Sequence, residues 1–261
     1  MSKVYYKSAE DIEQLRKSAN VLSQLLGEIA REIRPGVTTL SLDKLAYDYI
    51  HDHGGRPAFL NYNGFPNSLC ISVNDQVVHG IPSDYELRDG DIVSVDGGVE
   101  LDKYISDSAY TFAVGNVSDD VKQLLDVTLE SLNLGIAQAV AGKRVGDIAF
   151  AVQDHVEKYS YGIVRELVGH GVGYKLHEKP EVPNYGKRGT GSKLEEGLVI
   201  CIEPMINMGK AQVKFWDDGW TVSTADSKPS AHYEHMVAIH KGSPDVLTTF
   251  AYVEEVLGKK N

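Results

Sequence analysis

Asp96, Asp107, His170, Glu203 and Glu234 lie far apart along the chain, each inside a short and distinctive local sequence. Four carboxylates and one imidazole make a hard, oxygen-rich donor set of the kind a two-metal hydrolase requires. Such a set suits Mn(II), Fe(II), Co(II) or Zn(II) better than a structural zinc, which favours thiolates in a closed tetrahedron. Two divalent ions would supply four positive charges against four negative ones. Without them, a cluster of carboxylates is electrostatically costly. Any one of these carboxylates alone reads as a surface charge or a helix cap. Five in context, three of them ending or interrupting apolar strand-like runs, read as a site.

Asp96 sits in Ser-Val-Asp-Gly-Gly and Asp107, eleven positions later, in Ile-Ser-Asp-Ser-Ala. The flanking apolar and β-branched residues predict two neighbouring antiparallel strands over 91–96 and 104–114, which would bring both carboxylates onto one face. His170 lies in Gly169-His170-Gly171-Val172-Gly173, where glycines allow close backbone approach and relax φ. Glu203 follows the apolar run Leu198–Ile202 and precedes Pro204, at the expected end of a buried strand. Glu234 stands just before the strand-like Met236–Ile239.

The elements that must position these residues follow from periodicity. Ser8-Ala9-Glu10-Asp11 reads as a helix start, with Ile12, Leu15, Ala19, Leu22, Leu26, Ile29 and Ile33 inward and Pro35-Gly36 as the stop. A second helix is expected over 41–53, and strands near 69–74, 77–79, 91–96 and 104–114. The order then recurs, with helices near 119–140 and 146–158 and strands near 163–168, 197–203, 211–215 and 231–240. This recurrence of helix, helix and strands predicts an internal duplication. The expected unit is one catalytic domain over 1–261, with halves at about 8–116 and 117–240 that both contribute donors. Residues 180–195, rich in Gly, Lys and Pro, read as a surface excursion within it.

The chain has 261 residues, 42% of them hydrophobic, enough for a substantial core. A formal net charge of −11 argues against nucleic-acid binding through a globally basic surface. Cys70 and Cys201 are far apart in apolar runs and read as buried thiols, not a disulfide framework. The amino terminus lacks an apolar signal core and no run is long enough for a membrane span, so a cytoplasmic location is expected.

Val-Val-His79-Gly-Ile-Pro82, Val-Asp96-Gly-Gly, Ser-Asp107-Ser, Gly-His170-Gly-Val-Gly, Leu-His177-Glu-Lys-Pro180, Ile-Glu203-Pro-Met205 and Tyr-Glu234-His, in that order from about Pro35 to Ile239, together resemble a type I methionine aminopeptidase of peptidase family M24. The resemblance implies an α+β pita-bread fold, two pseudo-symmetric halves around a dinuclear metal site. It implies removal of the initiator methionine from nascent chains when the second residue is small, by metal-activated hydroxide attack on the first peptide bond. Asp96, Asp107, His170, Glu203 and Glu234 take the metal-ligand positions. Glu203 can also serve as general base. His177 is expected to donate to the carbonyl or tetrahedral oxygen, and His79 to contact the scissile amide nitrogen. Tyr62, Phe65, Cys70, Leu176 and Trp220 are implied to line the methionine pocket, where a thioether is held by dispersion and sulfur-aromatic contact.

Phe59 departs from the family pattern, where cysteine is common, and is expected to narrow the cavity mouth. Leu176 stands where an aromatic is common. Asn74 and Ser230 match positions that help to hold a monovalent cation. His51, His53, His232, His235 and His240 read as surface or core groups.

A proline-specific peptidase of the same fold shares the five ligands but usually carries a large amino-terminal domain, and this chain begins shortly before its first helix. The helical insertion of a type II enzyme does not fit between Pro180 and Leu198, and a cysteine-rich amino-terminal extension is missing, so the chain reads as bacterial; a monomer is expected. A non-catalytic binding module of this fold would have lost ligands, whereas all five are present. His177-Glu-Lys-Pro180 is not His-Glu-x-x-His, and Gly169–Gly173 lacks the spacing of a dinucleotide fingerprint. Transient contact with the ribosome is the remaining partner expectation.

Overall fold

The computed structural model describes residues 3–258. The first half runs α1 (Ala9–Glu32), α2 (Thr39–Asp52), β1 (Arg56–Pro57), β2 (Leu69–Val73), β3 (Gln76–Val78), β4 (Ile92–Leu101) and β5 (Tyr104–Ala113). The second begins with α3 (Asp119–Ile136) and α4 (Val145–Val156), then β6 (Gly162–Ile163), β7 (Gly169–Gly171), β8 (Glu178–Val182), β9 (Val199–Ile202) and β10 (Met205–Asn207). It continues through β11 (Val213–Phe215), β12 (Val222–Thr224), β13 (Ser230–His232), β14 (His235–Ala238) and β15 (Asp245–Val246) to α5 (Ala251–Val256). Helix-helix-strands therefore occurs twice, as the periodicity predicts.

α1 starts at a capping box, in which Ser8 and Asp11 satisfy each other's backbone N–H groups. Its stripe Ile12, Leu15, Ala19, Leu22, Leu26 and Ile29 is wholly buried against β4 and β5. Burying each such leucine or isoleucine is worth about 1.5–3 kcal/mol. Ser18, inside that stripe, spends its hydroxyl on the Val99 carbonyl at 2.7 Å, so the helix docks on the sheet through a satisfied polar contact. α5 packs on α1 where Gly27 makes room: a Cβ there would lie 2.7 Å from Tyr252 Cβ.

β4 is the spine of the first sheet, with β5 along one edge and β2 and β1 sharing the other. Asp102 and Lys103 join β4 to β5 with φ of 49° and 72°, the two left-handed residues of a tight hairpin turn. The second half carries a five-stranded sheet in the order β15-β14-β9-β7-β8 and a three-stranded one in the order β13-β10-β6. A fourth sheet, β11-β12-β3, contains strands from both halves. One apolar core runs from Leu22 and Tyr110 through Ile148 to Ile200 and Tyr233, crossing the pseudo-repeat.

Several elements differ from expectation, the strand expected near 163–168 being confined to Gly162–Ile163. The stretch expected as one strand over 231–240 is broken at Tyr233-Glu234, and the expected loop 180–195 opens with β8, an edge strand that carries Pro180 where no ladder partner is lost. Asn184 and Leu194 in the same stretch are fully buried, so it is not purely a surface excursion. β3 stops at Val78, and His79 turns away with φ of 58°.

Candidate active site

The β4–β5 register sets Asp107 opposite Gly98 and Asp96 opposite Ala109. The two carboxylates are thus diagonal neighbours on one face, as the alternation of a strand demands. Gly98 is required between them and the pocket wall, because a Cβ there would lie 2.9 Å from Ala58 Cβ and 3.0 Å from the Phe59 ring.

Glu203 and Glu234 reach the same place through a shared interruption. β9 ends at Ile202, opposite His235 where β14 begins, while β10 begins at Met205, opposite His232 where β13 ends. The two-residue gaps Glu203-Pro204 and Tyr233-Glu234 therefore face each other between two ladders. Pro204 has no N–H to continue a ladder. Asn184 Nδ2 donates to the Glu203 carbonyl at 2.9 Å. Glu234 is tied to β5 by its N–H on the Ala109 carbonyl at 2.9 Å and by Ser108 Oγ on its own carbonyl at 2.8 Å.

His170 lies at a register shift between β7 and β8, a bulge that re-aims a side chain. Its Nδ1 is 2.9 Å from the Gly171 carbonyl, which can only accept. The proton is therefore on Nδ1, and the Nε2 lone pair faces Asp107 Oδ2 at 3.7 Å and Glu203 Oε1 at 3.6 Å. This tautomer is the one a metal ligand needs.

Electrostatics argues for a cation. Burial raises the Asp96 carboxyl to about 7, and pushes Asp107, Glu203 and Glu234 well above the carboxylate range, with repulsion among the acids adding to it. Asp96 Oδ1, Asp107 Oδ1 and Glu234 Oε1 are buried without a hydrogen-bond partner. Donor atoms from Asp107, His170, Cys201 and Glu234 lie within 4.8 Å of one another. Buried, unpartnered, mutually repelling oxygens beside a lone-pair nitrogen fit one or more divalent cations and little else.

These groups form the polar end of a cavity of about 280 Å³. Phe59, Tyr62, Phe65, Cys70, Leu176 and Trp220 line it, together with His79 and His177. Phe65 and Trp220 meet edge to face, with ring centroids 5.1 Å apart. The Cys70 thiol is pushed far up by burial and by Asp96, its cross-strand partner, so at neutral pH it is an apolar wall and not a nucleophile.

His79 is lowered to about 4 and His177 is also lowered, both by burial, so both are neutral at pH 7. His177 Nδ1 lies 2.8 Å from the Tyr62 hydroxyl, and its ring centroid 4.2 Å from that of His170. Burial raises the Tyr62 phenol, which keeps its proton to donate to Nδ1 and leaves Nε2–H of His177 as a donor.

The cavity also uses Val78, Leu167, Val168 and Met205, which no motif singled out. His232, read as a surface or core group, is buried 3.7 Å from Glu203 Oε2 with neither ring nitrogen hydrogen-bonded. Its place opposite Met205 follows from strand pairing, which the local sequence did not reveal. His235 stacks on Phe250, and His51 and His53 are exposed. Asn74 and Ser230 are neighbours, the Ser230 N–H donating to the Asn74 carbonyl at 2.9 Å. Asn74 Oδ1 accepts from the Ile92 N–H and Ser230 Oγ bonds Asn207 Oδ1, so both side chains are already engaged.

The family described as metallopeptidase family M24 matches residues 13–241. A methionine aminopeptidase of Clostridium perfringens is 49% identical across 94% of this chain and 98% of its own length. Methionine aminopeptidase 1 of Bacillus subtilis is 45% identical across 93% of this chain and 98% of its own. The crystal structure of the Rickettsia prowazekii methionine aminopeptidase superposes with a TM-score of 0.92 at 39% identity, covering 95% of this chain and 100% of that one. The prolidase of Pyrococcus furiosus, at 23% identity and a TM-score of 0.73 over 94% of this chain and 65% of that one, shares the fold alone. The two-half architecture is the pita-bread fold, and the chain belongs to metallopeptidase family M24, among its methionine aminopeptidases.

Proposed function

We propose that this protein removes the N-terminal methionine from nascent polypeptides whose second residue is small. The observation that carries the reading is the group of four carboxylates and one lone-pair imidazole at the polar end of a cavity of about 280 Å³ walled by Phe65, Leu176 and Trp220. Asp96, Asp107, His170, Glu203 and Glu234 would hold two divalent ions from among Mn(II), Fe(II), Co(II) and Zn(II). When bound, such ions acidify water and polarise a carbonyl.

This chain's own residues do the rest. Glu203 accepts the proton of the attacking water, its carboxylate standing at the polar end of the cavity where that water would be held. His177 offers Nε2–H to the oxygen on which negative charge develops, held by Tyr62 at Nδ1. His79, neutral and set by its left-handed backbone, faces the scissile nitrogen and assists departure of the new amino terminus. Phe65, Trp220, Cys70, Leu176, Tyr62 and Phe59 enclose the methionine side chain. Acetylated or formylated peptides fail because their terminal nitrogen is an amide with no basic lone pair.

Both pseudo-repeat halves supply donors, which supports one catalytic domain and a site complete in a monomer. A cytoplasmic enzyme meeting chains near the ribosome fits this substrate, and no helix among the described residues is long and apolar enough to cross a membrane. The test is release of methionine from Met-Ala-Ser by metal-stripped protein reloaded singly with each metal, against formyl-Met-Ala-Ser and Gly-Pro-Ala. Cleavage of Met-Ala-Ser alone is expected. Turnover of Gly-Pro-Ala alone would move the activity to a proline peptidase, and no turnover in folded protein would leave a binding module.

A further inference from the structure

An ion pair with no part in the chemistry above lies directly behind His177. Lys7 and Glu178 are joined by a short contact, and both side chains are completely shielded from solvent. The pair links the segment before α1 to the first residue of β8, where the loop from β7 ends, across most of the sequence.

Glu178 has two jobs. Its Oε2 meets Lys7 Nζ, while its Oε1 accepts from the backbone N–H groups of Tyr174 at 2.8 Å and Lys175 at 3.0 Å. Those two residues belong to the loop that delivers Leu176 and His177 into the cavity. The loop is pressed on Lys7 itself, since a Cβ on Gly173 would lie 2.6 Å from Lys7 Cε. Lys7 is anchored at its other end by its N–H on the Gly197 carbonyl at 2.7 Å, and its Nζ sits 5.3 Å from the centre of the Tyr174 ring. Nearby Val4 pairs with Lys179, so the amino-terminal segment lies along the outer edge of β8.

A fully buried ion pair is weak evidence for stability, because desolvation offsets its attraction. Its best physical use is to specify one arrangement. Here the arrangement specified is the path of residues 173–178. Without the Lys7 charge, a buried carboxylate would have to find water, and turning outward would release two backbone N–H groups that hold the loop.

We propose that Lys7 is a positioning residue for His177, acting through Glu178 to fix the loop that aims Nε2–H at the developing oxyanion. The inference rests on the reading of His177 as that donor. Lys7→Met is expected to lower kcat on Met-Ala-Ser roughly 10- to 100-fold, the scale of a misplaced catalytic group, with KM and metal content little changed. Lys7→Met/Glu178→Gln leaves no uncompensated charge and serves if the single variant does not fold. Its amide oxygen is the poorer acceptor, and a loss of roughly three- to tenfold in kcat is expected.

In a His177→Ala background, neither change should cost more than about a further twofold, because residues acting as a unit are not additive. Equal losses with and without His177, or full kcat in folded variants of both kinds, overturn the assignment. A His177→Ala enzyme as fast as the parent would instead remove His177 from the chemistry, and the positioning role with it.

Discussion

Replacing Asp96 by Asn should stabilise the metal-stripped protein at neutral pH while abolishing its activity. The folded-state carboxyl of Asp96 titrates at about 7 against 3.8 in the unfolded chain, driven by burial. The folded state therefore binds the extra proton between these values, and stability is lost as pH rises from about 4 to 7. At about 1.4 kcal/mol per factor of ten, the full interval is worth of order 4 kcal/mol at pH 8, and about a third of that at pH 5. His170, His232 and His235, each lowered to about 3 by burial, contribute with the opposite sign. Their stabilisation is present above the unfolded value of 6.5 and is lost as pH falls toward 3, so wild-type stability against pH alone mixes both effects. The difference between wild type and Asp96→Asn cancels the histidines and reports Asp96 together with its repulsion on Asp107, Glu203 and Glu234. Urea unfolding in chelator at pH 5 and pH 8 measures it. The variant should be the more stable at both, by a margin that widens with pH. Adding Mn(II) should shrink that margin, since a ligand at a hundred times its Kd adds about 2.7 kcal/mol to the protein that binds it. A variant less stable than wild type in chelator at pH 8, or a margin independent of pH, would refute the account of a site held together by its cation.

Glu203→Gln should lower kcat roughly 10²- to 10⁴-fold, the usual span for a lost general base, with residual metal content measured in parallel by elemental analysis. Tyr62→Phe removes the partner of His177 Nδ1 and should lower kcat about tenfold, the worth of one hydrogen bond, with KM for Met-Ala-Ser nearly constant. Phe59→Ala should widen the cavity mouth and raise the ratio of kcat/KM for Met-Val-Ser over Met-Ala-Ser; an unchanged ratio would place Phe59 outside the selection of the second residue. Gly98→Ala should cost about 1–3 kcal/mol in urea unfolding, because its Cβ collides with Ala58 and Phe59.

The five proposed donors were legible because three of them end or interrupt a strand signal, and the hairpin carrying Asp96 and Asp107 obeys simple alternation. What stayed hidden depends on pairing between distant segments. Nothing near His232 says that it faces Met205 and Glu203, and nothing near Lys7 says that Glu178 will neutralise it across 171 positions. β8 reads as a loop because Lys179, Pro180 and Glu181 are poor strand formers, yet an edge strand tolerates them. α5, six residues long, is shorter than the window in which helical periodicity can be recognised. The interruption at Tyr233-Glu234 escapes notice for a different reason. Both sides of it are apolar enough to pass as one strand, and only the matching break at Pro204 shows why it is needed.

The facing gaps at Glu203-Pro204 and Tyr233-Glu234 also set a timetable. Glu234 is the last of the five proposed donors, and its position depends on β13 and β14 pairing with strands already made. Roughly 140 residues separate Asp96 from Glu234, which at synthesis speeds of about 5–20 residues per second is of order seven to thirty seconds. Throughout that interval the first two carboxylates exist without the partners that would enclose an ion. The centre therefore forms as a closing act of the chain's own production, and a polypeptide stalled short of β14 would possess most of the fold's first sheet and none of its chemistry.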